Sequence, residues 1–265
     1  MSEQRKDVWA AGEKYEPYVG RWSRLVAKEF VDWLALPKGL SWLDVGCGTG
    51  VLCQALLDRA APKEVLVIDP SAGFIEYARA HVPGAIFAVG DARSLEIEPS
   101  SVDAAVSGLV LNFVPEPDLA LEQMARAVRP GGQVAAYVWD YAGRMELMRY
   151  FWDAAVELDP AAAELDEGPR FPLCQPAALE ELFTGPRLRW VEVHAIEVPT
   201  RFRDFDDYWS PFLGGQGPAP SYAMSLSAAR RDALRDRLRE RLPVGADGAI
   251  ALVARAWAVR GLRRN

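Results

Sequence analysis

The stretch Trp42-Leu43-Asp44-Val45-Gly46-Cys47-Gly48-Thr49-Gly50 constrains the fold more than any other part of the chain. It reads as a buried strand ending in an acidic residue, a glycine-rich turn, and a helix starting near Val51. Glycine is required where the backbone takes positive φ or where a ligand presses against the main chain. A turn that opens onto a helix N-terminus also presents unpaired N–H groups and the positive end of the helix dipole. A strand of this kind needs parallel neighbours and covering helices, and the following residues supply them.

Short apolar runs rich in β-branched residues predict strands at 41–45, 65–68, 85–89, 102–109 and 133–139. Between them, helical patterns are expected at 51–59, from the Ser71 N-cap onward, and at 118–128. The last of these is stopped by Arg129-Pro130-Gly131-Gly132. Strands apolar on both faces, alternating with helices, predict a parallel sheet covered on both sides. Ahead of it, Tyr15, Tyr18, Trp22, Leu25, Val26 and Phe30 recur at helical spacing. That stripe fits either a helix packed on the core or a lid over a ligand. After Tyr141, helices are expected at 144–158, 176–183 and 227–242, with strands at 189–198 and 248–259. The segment 160–172 reads as an acidic loop, 203–212 is aromatic-rich, and 214–218 reads as flexible. One unit of 1–265 is expected: a helical lid (1–39), a ligand-binding core (40–140), cap segments (141–188 and 200–247) and final strands (189–199 and 248–260).

Bulk properties limit what such a chain can do. A net charge of -7 argues against generic nucleic-acid binding, which relies on displacing counterions with basic patches. Three cysteines without a Cys-x-x-Cys pair give neither a zinc site nor a disulfide framework, so no metal is expected and a reducing cytoplasm fits. The charged start has no signal-peptide core, and the apolar run 104–114 is too short to span a bilayer. A homodimer is left open.

A strand–turn–helix with three glycines serves two nucleotides, and Asp69 at the end of the second strand can hold a ribose in either case. A dinucleotide site wants Gly-x-Gly-x-x-Gly, and Val51 stands where its last glycine would be. Gly90-Asp91-Ala92 after the third strand, Ser101-Val102-Asp103 and Asn112-Phe113-Val114-Pro115 flanking the fourth, and Arg129-Pro130-Gly131-Gly132 before the fifth complete the pattern. With these landmarks in order, the chain resembles the class I S-adenosylmethionine-dependent methyltransferases. It is most similar to the type-11 group, which includes ubiquinone and menaquinone C-methyltransferases. The resemblance covers 42–139 well and the flanking segments weakly.

The resemblance implies an α/β fold with a doubly wound seven-stranded sheet, its last strand antiparallel, and a small helical cap. It implies S-adenosyl-L-methionine as cofactor and a methyl acceptor as partner. Asp44 would lie beside the methionine amino group, and backbone at Gly46, Cys47 and Gly48 would wrap the methionine, with Gly50 closing the bend. Asp69, followed by Pro70, would hold the ribose. Asp91 would accept from the adenine amino group with the Ala92 N–H facing the ring, and backbone near Ser107 would meet the methionine amino group. Apart from the resemblance, the aromatic stripe itself makes Tyr18 and Trp22 candidates to cover the cofactor. Asn112 stands where many relatives have histidine. Cys47 is expected to pack rather than react.

A general base should sit near the acceptor. His81, at a helix end, and His194, in mid-strand, are both poorly placed. Asp140 and Tyr141, just past the fifth strand, and Asn112 fall on the strand-end rim where open α/β sheets bind ligands, so they are the candidates for chemistry. Asp140 serves equally as a loop cap. Phe171, Tyr208, Trp209 and Phe212 suit either an apolar acceptor pocket or the packing of the cap. The expected function is methyl transfer to oxygen or carbon of a small planar or lipophilic molecule. The alternatives are an NAD(P)-dependent oxidoreductase and a non-catalytic S-adenosylmethionine binder.

Overall fold

The computed structural model describes residues 16–214 and 217–265. Tyr15 and the rest of 1–15 in the expected lid, and Gly215 and Gln216 of the expected flexible stretch, lie outside the described residues.

Seven strands form one sheet: β1 Ser41–Val45, β2 Glu64–Asp69, β3 Ile86–Val89, β4 Val102–Gly108, β5 Val128–Trp139, β6 Leu188–Phe202 and β7 Ile250–Arg263. Their order is β3-β2-β1-β4-β5-β7-β6. The pairs among β1 to β5 are parallel, and β7 runs antiparallel between β5 and β6. The chain winds outward from β1 to β3 and then returns to place β4 on the other side of β1. A crevice opens above the strand ends at such a reversal, and the glycine bend follows β1 there.

Ten α-helices accompany the sheet among the described residues: α1 Arg21–Leu34, α2 Val51–Arg59, α3 Ala72–His81, α4 Pro117–Ala127, α5 Glu146–Leu158, α6 Glu167–Arg170, α7 Pro176–Phe183, α8 Phe205–Trp209, α9 Pro218–Ser225 and α10 Ala228–Arg241. Local chemistry sets several boundaries. Ser71 accepts the Phe74 N–H at 3.3 Å and starts α3, as a serine N-cap does. Pro117 occupies the first turn of α4, where its missing N–H costs nothing. On α1, Trp22, Val26 and Phe30 are buried. Phe30 meets Tyr137 of β5 at 4.6 Å between ring centroids, and Trp22 meets Phe202 of β6 edge-on at 5.3 Å.

Some expectations need correction. β5 begins at Val128, and the Arg-Pro-Gly-Gly stretch is absorbed as an irregularity in which the pairing register shifts between Val102 and Ala104. β6 and β7 are longer than their hydrophobic runs suggest because they pair with each other from Leu188–Arg263 to Phe202–Ile250. β3 is an edge strand with Ile86 and Val89 exposed, so coverage of both sheet faces stops short of it. The acidic loop contains α6, and Pro218-Ala219-Pro220 opens α9 instead of prolonging a flexible stretch. The arginines of α10 are spent on ion pairs: Arg235 with Asp232 and Arg237 with Glu240, both at 2.8 Å, and Arg237 also with Glu157.

Candidate active site

The bend after β1 is built from main chain. Gly46, Gly48 and Gly50 have φ of 80°, 51° and 86°. The N–H groups of Gly46 and Cys47 both donate to the Ile68 carbonyl, at 2.7 and 3.2 Å. A Cβ on Gly46 would stand 2.5 Å from Val110 Cγ1, whereas one on Gly48 would meet nothing within 4 Å. The first glycine therefore permits close approach of two loops, and the second leaves the bend open. Leu109, on the facing loop, also takes positive φ (62°), with its N–H donating to the Tyr137 carbonyl at 2.7 Å. Strain in a non-glycine residue at a cavity rim is a feature that functional loops share.

Three carboxylates stand around this bend in different states. Asp44 is fully buried and neither of its oxygens has a hydrogen-bond partner. Burial first, and then the nearby Asp69 charge, push its pKa up to about 7. Asp69 accepts the Gly48 N–H through Oδ2 and the Ser71 N–H through Oδ1, both at 2.9 Å. Burial raises its pKa, and those two N–H groups oppose the rise. Asp91 is more exposed. Arg93 hydrogen-bonds it and holds it below the usual carboxylate range.

Two cavities meet at Gly46, Pro70, Val110 and Phe113. The smaller, about 270 Å³, is walled by Gly90, Asp91, Ala92 and Arg93 on one side and by Phe113, Val114 and Pro115 on the other. The larger, about 320 Å³, runs under Gly46, Cys47 and Gly48 past Asp69 and Gly108 to Phe113, Tyr137, Trp139, Tyr141 and Met148. Asp69 is the only charged side chain on its described lining.

The expected residues divide into those that reach these walls and those that do not. Gly46, Cys47, Gly48, Asp69, Pro70, Asp91, Ala92 and Tyr141 line one cavity or both. Asp44 lies beneath the bend and Gly50 serves as the N-cap of α2, packed against Val82. Ser107 is buried with its hydroxyl donating to the Val45 carbonyl at 2.8 Å, and its neighbour Gly108 takes the cavity wall. The thiol of Cys47 is pushed up by burial and by Asp44 and Asp69, so it packs as a neutral group.

Tyr18 and Trp22 turn away from the cavity. Tyr18 is buried against Phe212 with its hydroxyl unpartnered, and Trp22 lies under Arg21. The same helical stretch instead presents Val19 and Ser23, each one position further along the chain. Tyr18 and Val19 lie on the π-helical turn Glu16–Gly20 and Trp22 and Ser23 on α1, so the face toward the cavity is the one next to the aromatic stripe. Asn112 is on the turn Leu111–Phe113 but lines neither cavity, and its buried Nδ2 has no partner.

Asp140 is drawn into the framework. It is 2% exposed. It accepts the Gly143 N–H at 3.0 Å, the Arg144 N–H at 2.8 Å, and Arg255 Nε and Nη2 at 2.7 and 2.6 Å. Four donors on one buried carboxylate make it a loop cap and ion-pair anchor between β5 and β7, and it lines neither cavity. Tyr208, Trp209 and Phe212 are buried packing in the cap, and Phe171 sits behind Tyr141 and Phe113 at 5.6 and 5.0 Å. Both histidines are remote: His81 Nδ1 is 2.8 Å from the Tyr77 carbonyl, and His194 stacks on Trp33.

Tyr137, Trp139 and Met148 were not anticipated. The alternation of Tyr137 and Trp139 along β5 was a usable signal, because residues two apart in a strand share a face. Met148 had no such signal, since its position depends on how α5 docks. Among the described residues no group of three or more His, Cys, Asp or Glu side chains could hold a metal. No helix there is long and apolar enough to cross a membrane.

The sheet order, the reversed β7 and the bend at the β1–β4 crevice define a class I methyltransferase fold. Comparison with known proteins agrees: residues 43–136 match the family model described as a methyltransferase domain. An uncharacterized methyltransferase of Mycobacterium tuberculosis is 32% identical over 112 residues, 42% of this chain and 44% of the relative. A demethylmenaquinone methyltransferase of Renibacterium salmoninarum is 35% identical over 114 residues, 43% of this chain and 46% of that one. The matches therefore span less than half the length of these relatives. Among solved structures, a Haemonchus contortus phosphoethanolamine N-methyltransferase 2, bound to phosphomonomethylethanolamine and S-adenosylhomocysteine, superposes with a TM-score of 0.58 at 17% identity. That superposition covers 96% of this chain and 57% of that one. The match over 43–136 covers the strands, glycine bend and strand-end acids described above. The dinucleotide alternative draws no support from the fold order or from the family match.

Proposed function

We propose that this chain transfers a methyl group from S-adenosylmethionine to oxygen or carbon of a small, uncharged, largely apolar molecule. One observation carries the reading: two cavities join beneath a positive-φ bend, and the larger continues into a wall of Phe113, Tyr137, Trp139, Tyr141 and Met148. The residues present fit the cofactor. Gly48 leaves the bend open where a side chain would intrude, and Asp44 is a buried carboxylate lacking a counter-charge. Asp69 would hold the ribose hydroxyls. Asp91 and the Ala92 N–H would meet the base in the smaller cavity. Backbone at Gly46, Cys47, Gly48 and Gly108 would surround the amino-acid end, with the Asp44 charge beneath it.

Bound there, the cofactor supplies an electrophilic sulfonium methyl. The protein then has to align the acceptor and exclude water, and alignment alone can lower a barrier by about 7–11 kcal/mol. Val19 and Ser23 at the start of the chain's described part, and Met148 of α5, complete the lining of the larger cavity. No His, Lys, Arg or Glu lines it among the described residues, so chemistry rests on proximity and on the hydroxyls of Tyr137 and Tyr141. A phosphorylated base would find no cation on this lining. A ring-bearing, weakly acidic hydroxyl compound or an enolate-like carbon would suit it.

Calorimetry with S-adenosylhomocysteine and NADH, followed by labelled-methyl transfer to a panel of phenols, quinols, amines and phosphorylated amines, tests the reading. Binding of the first ligand alone, with transfer confined to the neutral hydroxyl compounds, is expected. Binding of NADH, or transfer chiefly to charged amines, would overturn it.

A further inference from the structure

Of the three strand-end carboxylates, Asp91 is the one that protein alone cannot orient by burial. Its side chain is 46% exposed, at the end of the edge strand β3. A carboxylate in that position rotates and is hydrated, which makes it a weak reader of a ligand's hydrogen-bond pattern. Arg93 removes that freedom. Its N–H donates to Asp91 Oδ1 at 2.8 Å, its Nε reaches the two oxygens at 3.1 and 3.3 Å, and its Nη2 reaches Oδ2 at 2.7 Å. Such a fork fixes the carboxylate plane as a single contact does not.

The same guanidinium extends across the cavity mouth. Arg93 Nη1 pairs with Glu116 at 2.9 Å. Glu116 follows Phe113, Val114 and Pro115, which form the wall of the smaller cavity opposite Asp91. One arginine thus sets the acceptor and ties its wall to the facing one. Exposed ion pairs of this kind contribute little to folding, so the arrangement does little for stability. Its effect is on what the cavity accepts.

We infer that Arg93 is a positioning residue that makes Asp91 a selective reader of a 6-aminopurine, a role resting on the cofactor assignment above. A carboxylate has about four acceptor sites, and the three Arg93 donors leave roughly one for a ligand N–H. A 6-amino group can donate to it. A 6-oxo group presents a lone pair to a fixed carboxylate and is repelled.

The test is calorimetry of S-adenosylhomocysteine against S-inosylhomocysteine, with wild-type protein, Arg93→Gln and Glu116→Gln. Wild type favours the adenosyl ligand. Arg93→Gln lowers that preference by roughly tenfold, the size of one charge-assisted hydrogen bond, while binding of the inosyl ligand changes little. Glu116→Gln, which leaves the Asp91 clamp intact, keeps the preference within about twofold of wild type. Thermal denaturation of both variants close to wild type shows that the fold is unaffected. Equal weakening of both ligands in Arg93→Gln, or an unchanged preference, overturns the inference while leaving the cofactor assignment standing. Failure of wild type to bind either ligand removes both.

Discussion

The rim above β1, β2 and β3 and the wall built by β5, α1 and α5 enclose the same space by different means. The rim is main chain and carboxylates: three glycines at positive φ, Ile68 accepting two N–H groups, and acids at the ends of successive strands. The wall is packed side chains, including Tyr137 and Trp139 from β5, Met148 from α5 and Val19 from the turn before α1. The rim presents what every ligand of one type requires. The wall presents a shape, and it can change without disturbing the rim. A shared cofactor with a divergent acceptor follows from that division.

The largest expected effect tests whether Asp140 belongs to the framework behind the wall or to the chemistry. Asp140→Ala leaves the partly buried Arg255 with only its longer contact to Glu197 and frees two N–H groups. Breaking such a pair costs about 3–5 kcal/mol, readable by urea denaturation. An undiminished midpoint together with lost turnover would return Asp140 to the chemistry and blur the division.

Next comes the rim itself. Gly46→Ala combines a φ of 80° with a Cβ 2.5 Å from Val110 Cγ1, so Val110 must move off the junction of the two cavities. Affinity for S-adenosylhomocysteine should fall by about a hundredfold, or nearly 3 kcal/mol. Unchanged affinity would show that the bend does not set the binding surface.

The smallest effect lies deep in the cap and concerns pH. Glu167 is buried with Trp152 Nε1 donating to it, and burial raises its pKa from 4.5 to about 8. Between those values the folded state holds a proton that the unfolded chain has released, so this group's contribution to stability falls as pH rises. Glu167→Gln should therefore unfold at a higher temperature than wild type at pH 8, by about 2–4 °C for each 1 kcal/mol, and the gain should shrink toward pH 5. A gain independent of pH would mean that Glu167 is already ionised in the fold.

The division between rim and wall is also the division between what was and was not legible in the sequence. Gly46, Asp69 and Asp91 could be placed on the cavity rim because a glycine bend and strand-end acids are local signals. β1, α2 and α3 were placed by the same kind of local signal: a buried run, a glycine N-cap and Ser71. Tyr18 and Trp22 were correctly recognised as one helical face, but an aromatic stripe says nothing about which neighbour it meets, and here it meets Phe212 and Phe202. Asp140 reads in sequence as either a candidate base or a loop cap because its partner Arg255 lies 115 residues away. The partner that neutralises it is set by the β5–β7 pairing, which no local pattern reveals.

The most direct test of the account is a crystal structure of the protein with S-adenosylhomocysteine. The account predicts adenine between Ala92 and the Phe113–Pro115 wall, with ribose hydroxyls on Asp69. It predicts the sulfur beneath the Gly46–Gly48 main chain, facing Tyr137 and Tyr141. A molecule seated elsewhere, or one whose ribose makes no contact with Asp69, would contradict it.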